Sequence, residues 1–433
     1  MKDVIKKVLT GLLLLEAQAV VRRYKPRIVA ITGSVGKTST KDAVYEVVAK
    51  GTHARKSQKS FNSEIGLPLT IIGRPNAWNN PMAWIQNLID GLFLIIFKAS
   101  YPDWLVLEVG ADRPGDIQSV AKWLPVEIAV ITRLPEVPVH VEFFSSADEV
   151  VAEKAALIDA LTPDGTLVLY ADDERANHMR LRAVGKHIIT FGFSDEVDVR
   201  ATDFEIVYEE GIDRAPVGIR ARIQAGGLSL PVTVLGTVGA HTLLPALAAA
   251  AVGRALGKDL QTAVEALQRY VPPPGRMHLV RGVKHSTIID DTYNSSPAAV
   301  TAALDTLTLI APLGRKIAVL GDMLELGRHS VEEHRKIGAY AAATSNLLVT
   351  VGFRARDMAQ GALDAGMDEK NIFQYEDSDT AGSELAALLE SGDSVLVKGS
   401  QSMRMERAVK EMMMEPERAE ELLVRQDLEW EKR

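Results

Sequence analysis

Ile28-Val-Ala-Ile-Thr-Gly-Ser-Val-Gly-Lys-Thr-Ser-Thr40 decides the fold. An apolar run reads as a strand, breaks at Gly33, and resumes as a helix opened by Lys37, Thr38 and Ser39. Gly33 and Gly36 allow a tight turn around Ser34, so backbone N–H groups can face phosphate oxygens. The helix start adds its positive dipole end, Lys37 a full charge, and Thr38 a hydroxyl able to ligate magnesium. This is how a chain cradles a nucleoside triphosphate. The spacing is shorter than the common G-x-x-x-x-G-K-[ST], because Ile31 stands where its first glycine would fall.

Outward from that loop, residues 27–192 alternate β-branched runs (27–32, 104–110, 127–131, 166–170, 187–192) with helical stretches (37–49, 147–161). Such alternation predicts an α/β fold, a mostly parallel sheet covered by helices. Residues 198–207 and 220–235 alternate apolar and polar around Gly226-Gly227, which predicts a small antiparallel part; an alanine-rich helix over 242–256 follows. Val271-Pro-Pro-Pro-Gly275 fits neither a helix interior nor a central strand and marks a boundary. Beyond it, strands at 285–291, 316–321, 346–351 and 394–398 alternate with helices at 297–309, 331–343, 354–365 and 380–389. The expected organisation is a helical leader (1–26), a central P-loop ATPase domain (27–274) and a smaller Rossmann-like domain (275–433). The charged tail after Met412 reads as helical.

Composition narrows the function. With 47% hydrophobic and 24% charged residues, the 433-residue chain has the makeup of a globular protein of two or three domains. Lys+Arg 49 against Asp+Glu 57 gives −8, which provides no broad basic surface for nucleic acid. The absence of cysteine excludes disulfides, thiolate zinc sites and a cysteine nucleophile, and fits the cytoplasm. Two apolar segments, 4–21 and 88–97, are interrupted by Glu16 and Asp90 and fall short of the about 20 apolar residues a spanning helix needs. Both are expected to pack on the first domain, with peripheral contact at a membrane interface as the alternative.

Ligands in parallel sheets bind beyond the carboxyl ends of strands. Glu108 ends the apolar run Trp-Leu-Val-Leu-Glu, where a carboxylate is costly unless it binds something. A magnesium ion shared with Thr38 and phosphate oxygens would account for it. His140, in a loop, and Lys154, in a predicted helix, would each pass singly as surface residues.

Together these positions resemble the Mur ligases, the ATP-dependent enzymes that add amino acids to the muramyl peptide precursor of bacterial cell wall, and among them the branch that adds D-alanyl-D-alanine. The likeness is carried by TGSVGKTS (32–39), NSEIGLPLT (62–70), LEVGAD (107–112), HVEFFSSADEVVAEK (140–154), PGR (274–276), DDTYNSSP (290–297), VLGDMLELG (319–327) and VLVKGSQSMRME (395–406). It implies that Lys37 and the loop amides hold the ATP phosphates. Thr38 and Glu108 would take one Mg²⁺; His140 would take a second, with Lys154 if that lysine is carbamylated. Arg276 would reach the phosphates from past the boundary, and Asp291, Tyr293 and Asn294 would lie against the nucleotide. Asn62 and Ser63 match the loop near the acceptor. Lys398, Gly399, Ser400 and Met403 match the segment lining the incoming amino-acid site.

The implied reaction is amide-bond formation through an acyl phosphate, joining D-Ala-D-Ala or a similar amino acid or dipeptide to a muramyl-peptide-type carboxylate. Departures from the family pattern bear on recognition. Only 26 residues precede the first strand, too few for the family's uridine-gripping domain, so the acceptor is expected to lack UDP, to be held by a partner subunit, or to bind differently. Thr242 and Pro245 replace asparagines expected beside adenine, Ser295 and Ser296 replace Ala-Asn, and Phe143 and Ser145 replace glycines near His140. Two alternatives remain: a ligase of the same superfamily with a non-UDP substrate, and a nucleotide-binding module without catalysis.

Overall fold

Alternation along the first strand shows how the layers form. The structure, a computed structural model, describes residues 2–58, 64–138, 140–211, 214–311, 313–427 and 430. Val29 and Ile31 of β1 (Arg27–Thr32) enter one buried cluster, Ile28 and Ala30 the other. Side chains on a strand point alternately to the two faces, so a strand apolar on both must lie inside a covered sheet. One covering layer holds α2 (Lys37–Ala49), whose Val44, Val47 and Val48 pack with the helix Leu244–Ala255. Alanines 246 and 248–251 of that helix are buried, and their small side chains let it lie close to the sheet.

Among the described residues this sheet has nine strands: β1, β2 (Ala54–Lys56), β3 (Trp104–Glu108), β4 (Val126–Ile131), β5 (Leu161–Tyr170), β6 (His187–Gly192), β7 (Val199–Tyr208), β8 (Pro216–Ala225) and β9 (Leu228–Leu235). Their order is β2-β3-β1-β4-β5-β6-β7-β8-β9. Pairing is parallel from β2 to β7 and antiparallel through β8 and β9. The second sheet comprises β10 (His278–Arg281), β11 (Thr287–Asp291), β12 (Lys316–Gly321), β13 (Leu347–Val351), β14 (Ile372–Tyr375) and β15 (Ser394–Lys398), ordered β10-β11-β15-β12-β13-β14. Only β10 runs antiparallel to its neighbour. The predicted α/β class, with its parallel sheet, antiparallel part and second sheet, is therefore the observed one.

Several bounds differ from the sequence reading. The predicted helix 147–161 ends at Ala155, continues as a 3₁₀ turn over Ala156–Ala160, and gives way at Leu161 to a strand pairing with Val126. The apolar segment 88–97 belongs to a longer helix, α4 (Pro81–Ile96), started by Pro81 and capped by the Asn80 side chain, which accepts from the Ala83 N–H at 3.1 Å. Neither α3 (Gly66–Ile72) nor the short strands β2, β10 and β14 had a periodic signal long enough to read. The leader is a single helix, α1 (Lys2–Tyr24); its Leu13 packs with Leu69 and Ile72 of α3, while Ala17, Val20 and Val21 join the core under the sheet.

Candidate active site

Sheet register brings the cradle and its carboxylate together. Ile31 pairs with Glu108 across β1 and β3, so the glycine loop leaves β1 beside the end of β3. Gly33 has φ +144°, and a Cβ there would come within 1.9 Å of Thr132 Oγ1 on the other flank. That hydroxyl donates to the Val35 carbonyl at 2.8 Å, and the Ser34 N–H donates to the Arg133 carbonyl at 3.0 Å, so the loop is fixed from β4's side. Gly36, at φ +84°, caps α2 in the left-handed conformation.

Lys37 Nζ donates back to the Gly33 carbonyl at 3.0 Å, and Thr38 Oγ1 donates to Glu108 Oε2 at 3.0 Å. Burial pushes the Lys37 amine below the usual lysine range, opposed by Glu108 and reinforced by Arg276. Lys154, 1% exposed, is pushed down to about 7, first by burial and then by the Lys37 charge. His140, at φ +68°, sets Nδ1 2.6 Å from Glu325 Oε2 and Nε2 3.7 Å from Asp112 Oδ1.

The second sheet supplies the opposite wall. Lys398, at the end of β15, forms a buried pair with Asp291 at the end of β11, 2.6 Å apart, and donates to the Asn294 carbonyl at 2.9 Å. Burial lowers its pKa and Asp291 resists the change. Arg276 lies over the Tyr293 ring, 4.0 Å from its centroid. Asp290, beside Asp291, is pushed up to about 7 by burial and accepts from the Gly275 N–H at 3.1 Å, tying the proline-rich boundary to β11.

A cavity of about 550 Å³ joins these parts. Ser34, Gly36, Lys37, Thr38, Ser39, Glu108 and His140 line it from the first sheet; Arg276, Asp291, Tyr293, Asn294 and Lys398 line it from the second. Gly33 shapes the turn behind it. Lys154 is not on the lining and meets the cradle through its charge coupling to Lys37. Gly399, Ser400 and Met403 also stand back: the Ser400 hydroxyl accepts from the Leu324 N–H at 2.8 Å, and Met403 packs against the core of the second sheet. Asn62 and Ser63 lie outside the described residues. Asp112, Arg133, His241 and Glu325 line the cavity without having been assigned a role from sequence. Asp112, Arg133 and Glu325 all follow strands, the signal that could have found them. His241, pushed down to about 4 by burial, and Thr242 precede the alanine-rich helix, whose first turn holds Pro245; all three line the same wall.

Thr38 and Glu108 offer one hydroxyl and one carboxylate, the sparse protein donor set magnesium takes when phosphates complete its shell. Ser34 Oγ is buried without a partner inside the cradle, a polar atom that a phosphate oxygen would satisfy. Among the described residues no three His, Asp or Glu side chains form a ready-made metal cluster.

Comparisons with known proteins converge on one family. Residues 90–253 match the model of the Mur ligase middle domain, and residues 275–401 that of the Mur ligase glutamate ligase domain. The UDP-N-acetylmuramoyl-tripeptide--D-alanyl-D-alanine ligase of Mycobacterium leprae is 30% identical, over 87% of this chain and 71% of its own length. The ligase of the same name from Bacillus subtilis is 27% identical, over 92% and 79%. The crystal structure of MurF ligase from Thermotoga maritima in complex with ADP superposes with a TM-score of 0.74 at 26% identity, covering 93% of this chain and 83% of that one.

Proposed function

We infer the activity from one premise: the chain belongs to the Mur ligase family. It is an ATP-dependent acid–amino-acid ligase of peptidoglycan synthesis, acting on small molecules. The specific reading is that it joins D-alanyl-D-alanine, or a similar amino acid or dipeptide, to a muramyl-peptide carboxylate in the cytoplasm. One observation carries it: Lys37 and the Thr38–Glu108 pair share a cavity with Arg276 and the Lys398–Asp291 pair.

The acceptor carboxylate attacks the γ-phosphorus, giving an acyl phosphate and ADP; the amine then adds to the activated carbonyl and phosphate leaves. Negative charge accumulates in both steps, so preorganised cations are the main catalytic need. Lys37 and the loop N–H groups would hold the transferring phosphate from one side and Arg276 from the other. Thr38 and Glu108 would hold one Mg²⁺, and His140 with Lys154 a second; bound there, magnesium supplies Lewis-acid charge to the phosphate oxygens. An amine at about 7 is substantially neutral near that pH, which favours the carbamate: the nitrogen adds to CO₂ and a proton is released, turning a cation into an anionic donor. Asp291, anchored by Lys398, and Asn294 would face the nucleotide and the incoming amine.

The test is ADP release with muramyl tripeptide, with and without UDP, each with D-Ala-D-Ala. Release that requires both acceptor and dipeptide, with amide product, is expected. ADP release indifferent to every acceptor–amine pair would refute the ligase assignment, and release with the UDP-free acceptor alone would redirect the substrate.

A further inference from the structure

The apolar segment that forms α4 is only half used by the core. Its inner side meets α1 at Gly91, where a Cβ would come within 2.2 Å of Glu16 Oε2, and through Leu88 and Leu94 beside Leu13. Its outer side keeps Ile85, Ile89, Leu92, Phe93 and Ile96 each about half exposed. Their spacing of three and four residues sets them on one helical face about 17 Å long. Next to it, α1 leaves Leu12 and Leu15 44% and 63% exposed. Two adjacent helices with large apolar side chains in water mark an interaction surface rather than scattered exposure.

Charge around the face identifies what covers it. Residues 2–25 carry six lysines and arginines against two acids, in a chain whose formal charge is −8. Arg22, Arg23 and Lys25 at the end of α1, and Lys98 just after α4, are exposed. Tyr24 donates to the Leu94 carbonyl at 3.0 Å, so these cations gather at the shared end of the two helices. The acids are withdrawn: Asp90 pairs with Arg74 at 2.9 Å, and burial pushes Glu16 up to about 7. A second copy docked by two-fold symmetry would set cation against cation. An apolar stripe rimmed by lysine and arginine instead matches a sheet of anionic headgroups over hydrocarbon. No helix among the described residues is long and apolar enough to cross a membrane.

We propose that the outer faces of α1 and α4 dock this protein on an anionic bilayer surface, the apolar row entering the interface and the neighbouring cations meeting the headgroups. The ligase would then work beside the membrane. Neither sheet's cavity is part of this face, so the inference stands apart from the assigned activity.

The experiment is co-sedimentation of the full chain with phosphatidylcholine vesicles, with and without phosphatidylglycerol, alongside size-exclusion light scattering of the protein alone. The expected result is binding to the phosphatidylglycerol vesicles that weakens with salt. The pair Ile89→Asp and Phe93→Asp should lower that affinity more than about tenfold while thermal unfolding in solution stays cooperative. Arg22→Gln with Arg23→Gln, which leaves the apolar row intact, should weaken it as well. Absence of vesicle binding, equal binding to pure phosphatidylcholine, or a dimer dispersed by the aspartate pair would each overturn the proposal.

Discussion

Gly33→Ala tests the cradle most directly. The new Cβ would stand 1.9 Å from Thr132 Oγ1 and 3.0 Å from Thr132 Cβ, on a backbone at φ +144°. Reaching ordinary contact requires a shift of about 1.5 Å between loop and strand. The backbone conformation alone costs roughly 1–3 kcal/mol for a residue with a side chain, and losing the Thr132–Val35 hydrogen bond about 1 kcal/mol more. If the loop escapes by leaving its phosphate-holding shape, ADP affinity falls by roughly 2–4 kcal/mol, about 30-fold to 1,000-fold. Gly36→Ala meets nothing within 4 Å, so it carries backbone strain alone, about 1–2 kcal/mol. Isothermal titration of ADP into Gly33→Ala, Thr132→Ala and the double variant separates strain from clash. Thr132→Ala removes the Oγ1 contact, and the double variant should lose less than the two singles together. Wild-type affinity in Gly33→Ala, or strict additivity in the cycle, would refute the close-approach argument.

Further outcomes follow from three buried charges. With CO₂ excluded, so that Lys154 is a free amine, it sits at about 7 folded against an ordinary 10.5; between those values the unfolded chain binds more protons and stability rises with pH, by up to about 1.4 kcal/mol per unit. Urea titrations of Lys154→Met should lose that slope, and Lys154→Ala should regain ADP release when short carboxylates replace the carbamate. Lys398→Met strands Asp291 in the interior and should cost roughly 3–5 kcal/mol in urea unfolding, largely recovered by adding Asp291→Asn. Arg425→Met cuts the tail from Glu406 and from the Thr292 and Tyr293 carbonyls; because Arg404 still pairs with Glu406, the cost should stay near 2 kcal/mol, with a raised KM for ATP through the loosened Tyr293.

Legibility in the sequence tracked how local each signal was. The strand–loop–helix at 28–40 is contiguous, and most of the sheet built around it, though not the short β2, could be read from alternation alone. The meeting of Thr38 with Glu108 was readable because Thr38 opens the helix after β1 and Glu108 ends β3, and these two strands prove adjacent. What stayed hidden depends on packing between distant segments. The outer half of α4 reads as ordinary core hydrophobicity until burial shows which face is covered. Glu325 faces His140 only because the loop after β12 touches the loop after β4, with the Glu142 N–H donating to the Glu325 carbonyl at 3.3 Å. Among the described residues, the tail read as a charged helix holds a 3₁₀ turn, Pro416–Arg418, and one short α-helical turn, Ala419–Leu422, before Arg425 reaches between Glu406 of the preceding helix and the Thr292 and Tyr293 carbonyls after β11. No periodicity records a single anchoring side chain.

The distribution of cations explains why the site spans two sheets. Arg276 depresses both Lys37 and Lys398, and Lys37 depresses Lys154, so the cationic groups of the two halves repel one another in a buried, weakly screened space. Glu108 and Asp291 each offset one lysine locally, yet neither bridges the halves. A polyanion placed between Lys37 and Arg276 converts that repulsion into attraction on both sides at once. On the proposed reaction, a triphosphate held there would draw the walls together, where water must be excluded for an acyl phosphate to survive. Had all the cations been mounted on one sheet, the same ligand would bind but would exert no pull on the other.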